Sequence, residues 1–365
     1  MAYRRIAGLC RTRSSTPVRH SINGIAQRRN WSTASIPDWD PTPSPELNAK
    51  LQLIRERLFI PQSLSNGQQN LVFKLSHSWR LEENPIIVHV GPNEEPYRLR
   101  PIDRLELPRK KEITTIVDLM KQTKHWTNFV PLLIGVRESG WRLNEDQLIQ
   151  MVTNTGATNG LGYLSEAMKQ HKQTSFTLGH PKLGKRLFFE LHVQAQQAGF
   201  QGPKFESAFR LAQQFATALE EPQNATRKGR WRIMTEPAII AVLLELCAAD
   251  VVYGGNTTRN RETMGYARRF RASWYRAGTV GSDLRRPKTW ARYDEMLQEL
   301  VPVYNALKLA MQVRPVAAHK EMSALFKNEI EKIHVYITKA KQYAHDRPAT
   351  ERLPGLMQAH ALHEP

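Results

Sequence analysis

Acidic residues are missing from the first 37 positions of this 365-residue chain, cysteine is almost absent throughout, and no apolar run approaches membrane length. Each shortage excludes something. The two cysteines are Cys10 and Cys247. Cys10 falls in a segment argued below to be removed, so no internal disulfide can hold the mature fold, and Cys247 reads as a small buried hydrophobe. The longest aliphatic stretch, Ala238 to Leu244, is followed at once by Glu245 and then by Asp250. That is far short of the roughly 20 apolar residues that span a bilayer, so no transmembrane segment is expected. Catalytic signatures are lacking too. Gly156, Gly160 and Gly162 precede a helical pattern but do not spell G-x-G-x-x-G and follow no strand, which favours a turn between helices over a phosphate cradle. There is no Walker loop and no G-x-S-x-G elbow. The twelve histidines are dispersed, and the close pair His360 and His363 has no cysteine or carboxylate cluster beside it. These absences predict a protein that is not an enzyme and has no metal, cofactor or small-molecule substrate.

What is abundant is positive charge. Lys and Arg number 52 against 34 Asp and Glu, a formal charge of +18, while 41% of residues are hydrophobic and 24% charged. The apolar share is enough for a core, so wholesale disorder is excluded. The charge predicts a polyanionic partner, nucleic acid first among them.

Part of that charge is an address. Between Met1 and Pro37 lie Arg4, Arg5, Arg11, Arg13, Arg19, Arg28 and Arg29, interspersed with Ser and Thr. An Arg-rich, Ser-rich, acid-free start is the composition of a mitochondrial transit peptide, and no apolar core of a secretory signal follows it. Arg28-Arg29-Asn30-Trp31-Ser32-Thr33 resembles a matrix-processing signal, so residues 1–31 are expected to be cleaved, leaving 45 basic against 34 acidic side chains. The alternative is a basic arm retained for RNA.

Residues 32–45 follow as a Pro-rich linker, with Pro37, Pro41, Pro43 and Pro45 favouring extended chain over packed structure. Ser44-Pro45-Glu46 then reads as a cap, a first-position proline and a first-turn acid, opening a helix whose apolar residues are Leu47, Leu51, Ile54 and Leu58. Residues 46–110 hold that helix and one small β-hairpin, Ile86 to Val90 against Tyr97 to Arg100 across Gly91-Pro92-Asn93.

Residues 111–276 read as helical hairpins: Ile113 to Met120 with Phe129 to Val136, Leu143 to Gly179, Leu183 to Pro222, and Glu236 to Tyr253 with Arg259 to Arg276. Periods of roughly 34–45 residues mark stacked hairpin repeats. Residues 277–346 read as a long antiparallel helix pair. Its first member carries a seam of Trp290, Tyr293, Leu297, Leu300, Tyr304, Leu307 and Met311, kinked at Pro302. The second carries Met322, Phe326, Ile330, Ile333, Ile337, Ala340 and Ala344. Residues 347–365 read as a tail. The fold class is therefore mostly α: degenerate helical-hairpin repeats followed by a long antiparallel pair, with one small hairpin near the N-terminus.

The charge is concentrated. Arg259, Arg261, Arg268, Arg269, Arg271, Arg276, Arg285, Arg286, Lys288 and Arg292 face only Glu262 and Asp283 over the same span, and a second cluster comprises Arg227, Lys228, Arg230 and Arg232. Arginine grips phosphate bidentately, so these fourteen are the candidate RNA contacts. Trp231, Trp274 and Tyr275 are candidates for stacking on unpaired bases. The competing reading makes Tyr266, Phe270 and Trp274, spaced by four, the buried face of one helix.

A matrix address with the Arg28 to Thr33 processing signal, a basic mature chain, degenerate helix pairs and no catalytic constellation together resemble the mitochondrion-specific proteins of the mitochondrial ribosome, in a fungal form. Leu143 to Leu219 also looks like pentatricopeptide-type helix pairs, without that module's regular consensus. The resemblance implies a matrix protein that binds ribosomal RNA and other mitochondrial ribosomal proteins as a structural constituent. A dissociable RNA-binding or translation factor, and a matrix assembly factor for a respiratory complex, remain alternatives.

Overall fold

The computed structural model describes residues 36–91, 93–224, 233–276, 289–346 and 353–362. Of these residues, 75% are helical, and one two-stranded antiparallel sheet stands near the N-terminus. The expected transit peptide lies outside the described residues.

Helix α1 (Pro45–Ile54) starts where the sequence predicts, with the Ser44 hydroxyl accepting from the Leu47 amide at 3.2 Å. It runs through a π-helical turn, Arg55–Phe59, into α2 (Ile60–Ser63). Helices α3 (Asn66–Phe73) and α4 (Ser78–Glu83) precede strands β1 (Ile87–Val90) and β2 (Glu95–Arg98). Val88 pairs with Tyr97, so β2 begins two residues before the predicted strand and includes Pro96. Ile36, Ile60, Leu64, Val72, Leu81, Val90 and Leu99 form a small core beneath this unit.

The Pro-rich segment is extended, as its prolines dictate, but it is docked rather than free. Ile36, Pro37 and Thr42 are buried. The Pro37 carbonyl accepts from Arg55 Nε at 3.0 Å, and Asn128, buried itself, exchanges two hydrogen bonds of 2.8 Å with the Asp40 backbone. Partners 18 and 88 residues away supply the holding interactions, so a local reading of composition does not reveal them.

Next come α5 (Lys110–Thr123), α6 (Phe129–Glu138), α7 (Glu145–Ala157), α8 (Leu161–Lys169), α9 (His171–Thr174), α10 (Pro181–Gln197), α11 (Gly202–Leu219), α12 (Pro237–Val252), α13 (Asn260–Arg276), α14 (Trp290–Ala310), α15 (Arg314–Ala317), α16 (Lys320–Asp346) and α17 (Pro354–Ala361). Their packing is that of stacked hairpins. Helices α5, α7, α10, α12 and α14 form one row, each against the next, while α6, α8 and α11 pack in sequence along a second. One continuous core runs from Leu47 to Ala359.

Two of the three clustered glycines serve this packing, while Gly162 has open space where a Cβ would stand. Gly156 lies inside α7, where the Glu190 carboxyl of α10 occupies the space a Cβ would need, and Gly160 lies against the Trp126 indole. Helix α12 is buried almost all round, and that is the aliphatic run of the sequence; no helix among the described residues is long and apolar enough to cross a membrane. Its one buried carboxylate, Glu245, meets His192 Nδ1 of α10 at 2.7 Å and Asn305 Nδ2 of α14 at 2.8 Å, tying three helices of the row together.

Helix α14 does more than the predicted pair requires. It runs antiparallel to α16, with Trp290 beside Tyr343 (4.8 Å between ring centres) and Tyr304 beside His334 (6.0 Å). It also packs broadly on α12, burying Val301, Val303 and Leu309 besides the seam. Pro302 sits within it.

The C-terminal segment is not simply a tail, because it contains α17. Pro354 occupies its first turn, and the Asp294 carboxylate of α14 accepts from the Leu356 amide at 3.0 Å. The cap thus comes from another helix, which is why Pro354-Gly355 reads locally only as a breaker.

Candidate nucleic-acid interface

Helix α13 has two opposed faces. Thr263, Ala267, Phe270, Ser273 and Trp274 are buried. The Phe270 and Trp274 rings stack 5.2 Å apart, and Phe270 meets Phe326 of α16 edge-on at 6.0 Å. Trp274 is only 2% exposed, so it is not a surface on which a base could stack. The four-residue spacing of Tyr266, Phe270 and Trp274 is the core signal of an amphipathic helix; Tyr266 itself is half-buried, and burial pushes its hydroxyl up to about 12.

The opposite face is solvent. Arg261, Gly265, Arg268, Arg269, Ala272, Tyr275 and Arg276 are all exposed, and at roughly 100° per residue they fall on one stripe. Tyr275 is 58% exposed. Arg269 lies over the Tyr266 ring at 5.7 Å. Arg261, Arg268 and Arg276 have no carboxylate within ion-pair distance among the described residues.

The other described candidates are engaged within the chain. Arg259 reaches Asp250 at 3.1 Å and Glu262 at 2.7 Å, and covers Phe209 at 4.7 Å. It clamps the start of α13 to α12 and α11. Arg271 meets Glu321 of α16 at 2.9 Å, and Arg292, on the exposed start of α14, meets Glu295 at 2.9 Å. Arg227, Lys228, Arg230, Trp231, Arg232, Arg285, Arg286 and Lys288 lie outside the described residues. Arg314, which the sequence reading did not single out, is exposed on α15, a helix that packs against α13.

The chemistry available on this stripe is binding. A row of guanidinium groups with no internal acids is an anion-binding surface, and its geometry is set from behind by the aromatic contacts. Cys247 lies in the core of α12, where burial pushes its thiol well above the usual range. Among the described residues no three His, Cys, Asp or Glu side chains gather as metal ligands do.

A basic stripe on stacked helical hairpins does not by itself name a family. A family model described as mitochondrial ribosomal protein mS27 matches residues 25–360. The chain belongs to the mitochondrial ribosomal protein mS27 family. Small ribosomal subunit protein mS27 of Neurospora crassa is 24% identical to it over 227 residues, which are 60% of this chain and 57% of that protein. The chain therefore aligns with little more than half the length of that curated relative. Membership in the mS27 family makes this a mitochondrial ribosomal protein, as the resemblance implied, and supports a structural part in the mitochondrial translation machinery. Within the mS27-family fold, α13 is the described element where unpaired arginines line up.

Proposed function

We propose that this chain is a structural constituent of the small subunit of the mitochondrial ribosome, acting in the matrix. In this reading the outer stripe of α13 lies on ribosomal RNA phosphates, and the helix rows pack against neighbouring ribosomal proteins. The observation that carries it is the family match over residues 25–360. The likeness to the small ribosomal subunit protein of Neurospora crassa supports the choice of subunit. The exposed arginines of α13, held by a buried aromatic face, support the RNA contact. No catalytic, metal or small-molecule role enters the proposal.

Sedimentation of mitochondrial ribosomes tests it. The chain should co-migrate with the small subunit and stay there through a high-salt wash. Release by salt would identify a dissociable factor instead, and failure to enter ribosomal fractions would return the assembly-factor reading. The matrix address predicts a mature terminus between Trp31 and Thr33; terminal sequencing of the native protein that found Ala2 would refute it.

A further inference from the structure

We infer that the RNA met by α13 is base-paired, gripped through its backbone and recognised by shape rather than by stacking on unpaired bases. This rests on the reading of α13 as an RNA contact and names the class of RNA. Recognition of single strands depends on aromatic platforms and on a groove that follows the strand. The described face of α13 has no run of such platforms. Phe270 and Trp274 are turned into the core, and Arg269 lies over the Tyr266 ring. Tyr275 alone remains as an exposed ring on this face, at its C-terminal end.

What the face does offer suits a duplex. Arg261, Arg268 and Arg276 are separated by seven and eight residues, so they stand on the order of 10–12 Å apart along the helix axis. That spacing lets them reach successive positions along a phosphate ridge rather than surround one nucleotide. Gly265 and Ala272 lie between them on the same stripe, and nothing lies within 4 Å of the point where a Cβ would stand on Gly265. The helix backbone can thus approach the ridge while the arginines straddle it. Double-stranded RNA is bound in this manner, by phosphate and 2′-hydroxyl contacts across its wide, shallow minor groove. The stripe is also rigid, because the Phe270, Trp274 and Phe326 rings and the pairs Arg259–Asp250 and Arg271–Glu321 fix it from behind. Rigid presentation favours a regular helix over a flexible strand, which would have to lose its freedom to lie along the stripe.

The test uses the full mature chain and two fluorescent RNAs of equal length, a mixed-sequence duplex and an unpaired oligouridine, with anisotropy measured over a salt series. The duplex should bind more tightly by on the order of tenfold. Replacing Arg261, Arg268 and Arg276 together by Gln should weaken duplex binding and flatten the slope of log affinity against log salt by roughly 0.7–0.9 for each phosphate that is no longer neutralised. Gly265→Gln with Ala272→Gln fills the notch between the arginines. It should weaken duplex binding while leaving thermal stability about unchanged, since the helix propensity gained at Gly265 offsets that lost at Ala272. Equal or tighter binding of oligouridine, or full duplex affinity in the notch-filled variant, would overturn the duplex inference and leave the RNA contact standing. Unchanged binding of both RNAs by the three-Gln protein would instead remove the RNA contact itself and turn this face toward an acidic protein neighbour.

Discussion

Trp274 and Tyr275 are adjacent in sequence and have opposite environments. The indole is sealed between Phe270 and the surrounding core, while the phenol stands in solvent. Truncating each should separate folding from binding. Trp274→Ala should lower stability by about 3–5 kcal/mol, seen as a lower denaturation midpoint in a urea titration. Tyr275→Ala should stay within about 0.5 kcal/mol of the parent, as surface changes do. A stable Trp274→Ala protein with impaired RNA binding would revive the stacking role. Glu245 is the polar counterpart. It is fully buried and joined to the buried His192 and the half-buried Asn305, so Glu245→Ala strands both partners and should cost about 3–5 kcal/mol. A denaturant midpoint unchanged by that substitution would show the knot to be dispensable. The sequence flagged Glu245 only as an interruption of an aliphatic run. Its partners lie 53 and 60 residues away, and no local pattern links them.

Among elements, legibility followed where the determining partners lie. Helix α7 carries its own capping box, α10 and α11 carry a proline in the first turn, and all three have apolar stripes, so their positions could be read from the sequence pattern. Helix α17 could not. Its seat depends on Asp294 of α14 and on Gly355, where an added Cβ would come within 2.6 Å of the Asp294 carbonyl oxygen. Gly355→Val should therefore displace α17 and leave the helix rows in place. Hydrogen exchange should then accelerate at residues 353–362 and little elsewhere. Protection retained there would mean that α17 tolerates the crowding. The Pro-rich segment followed the same rule: its extended conformation is a property of proline, but its docking belongs to Arg55 and Asn128.

At the scale of the molecule, the last helix pair is not a separate unit from the hairpins before it. Helix α14 serves both as the end of the row, on α12, and as the partner of α16. The seam at 3,4 spacing announced the second role, whereas the residues facing α12 dilute any single stripe and concealed the first. One core from Leu47 to Ala359 implies that the rows and the α14–α16 pair should unfold together. A calorimetric trace of the mature chain should therefore show a single main transition, and two well-separated transitions would contradict that continuity.

The sequence by itself determined the fold class, the position of most helices, the absence of a catalytic motif and the surplus of arginine. All of these depend on composition or on contacts a few residues apart along the chain. Tertiary structure decided which arginines are free. Arg261 and Arg268 remain open to solvent, while Arg259 and Arg271, from the same cluster, are drawn into pairs with Asp250, Glu262 and Glu321. It also decided that Trp274 is core, that residues 36–43 are held against the fold, and that α17 is seated on α14. The physical reason is common to all four. A charge, a ring or a carbonyl is spent or left available according to what packs beside it, and for Arg271, Phe270, Asp40 and Leu356 the neighbour is supplied from 50 to 88 residues away.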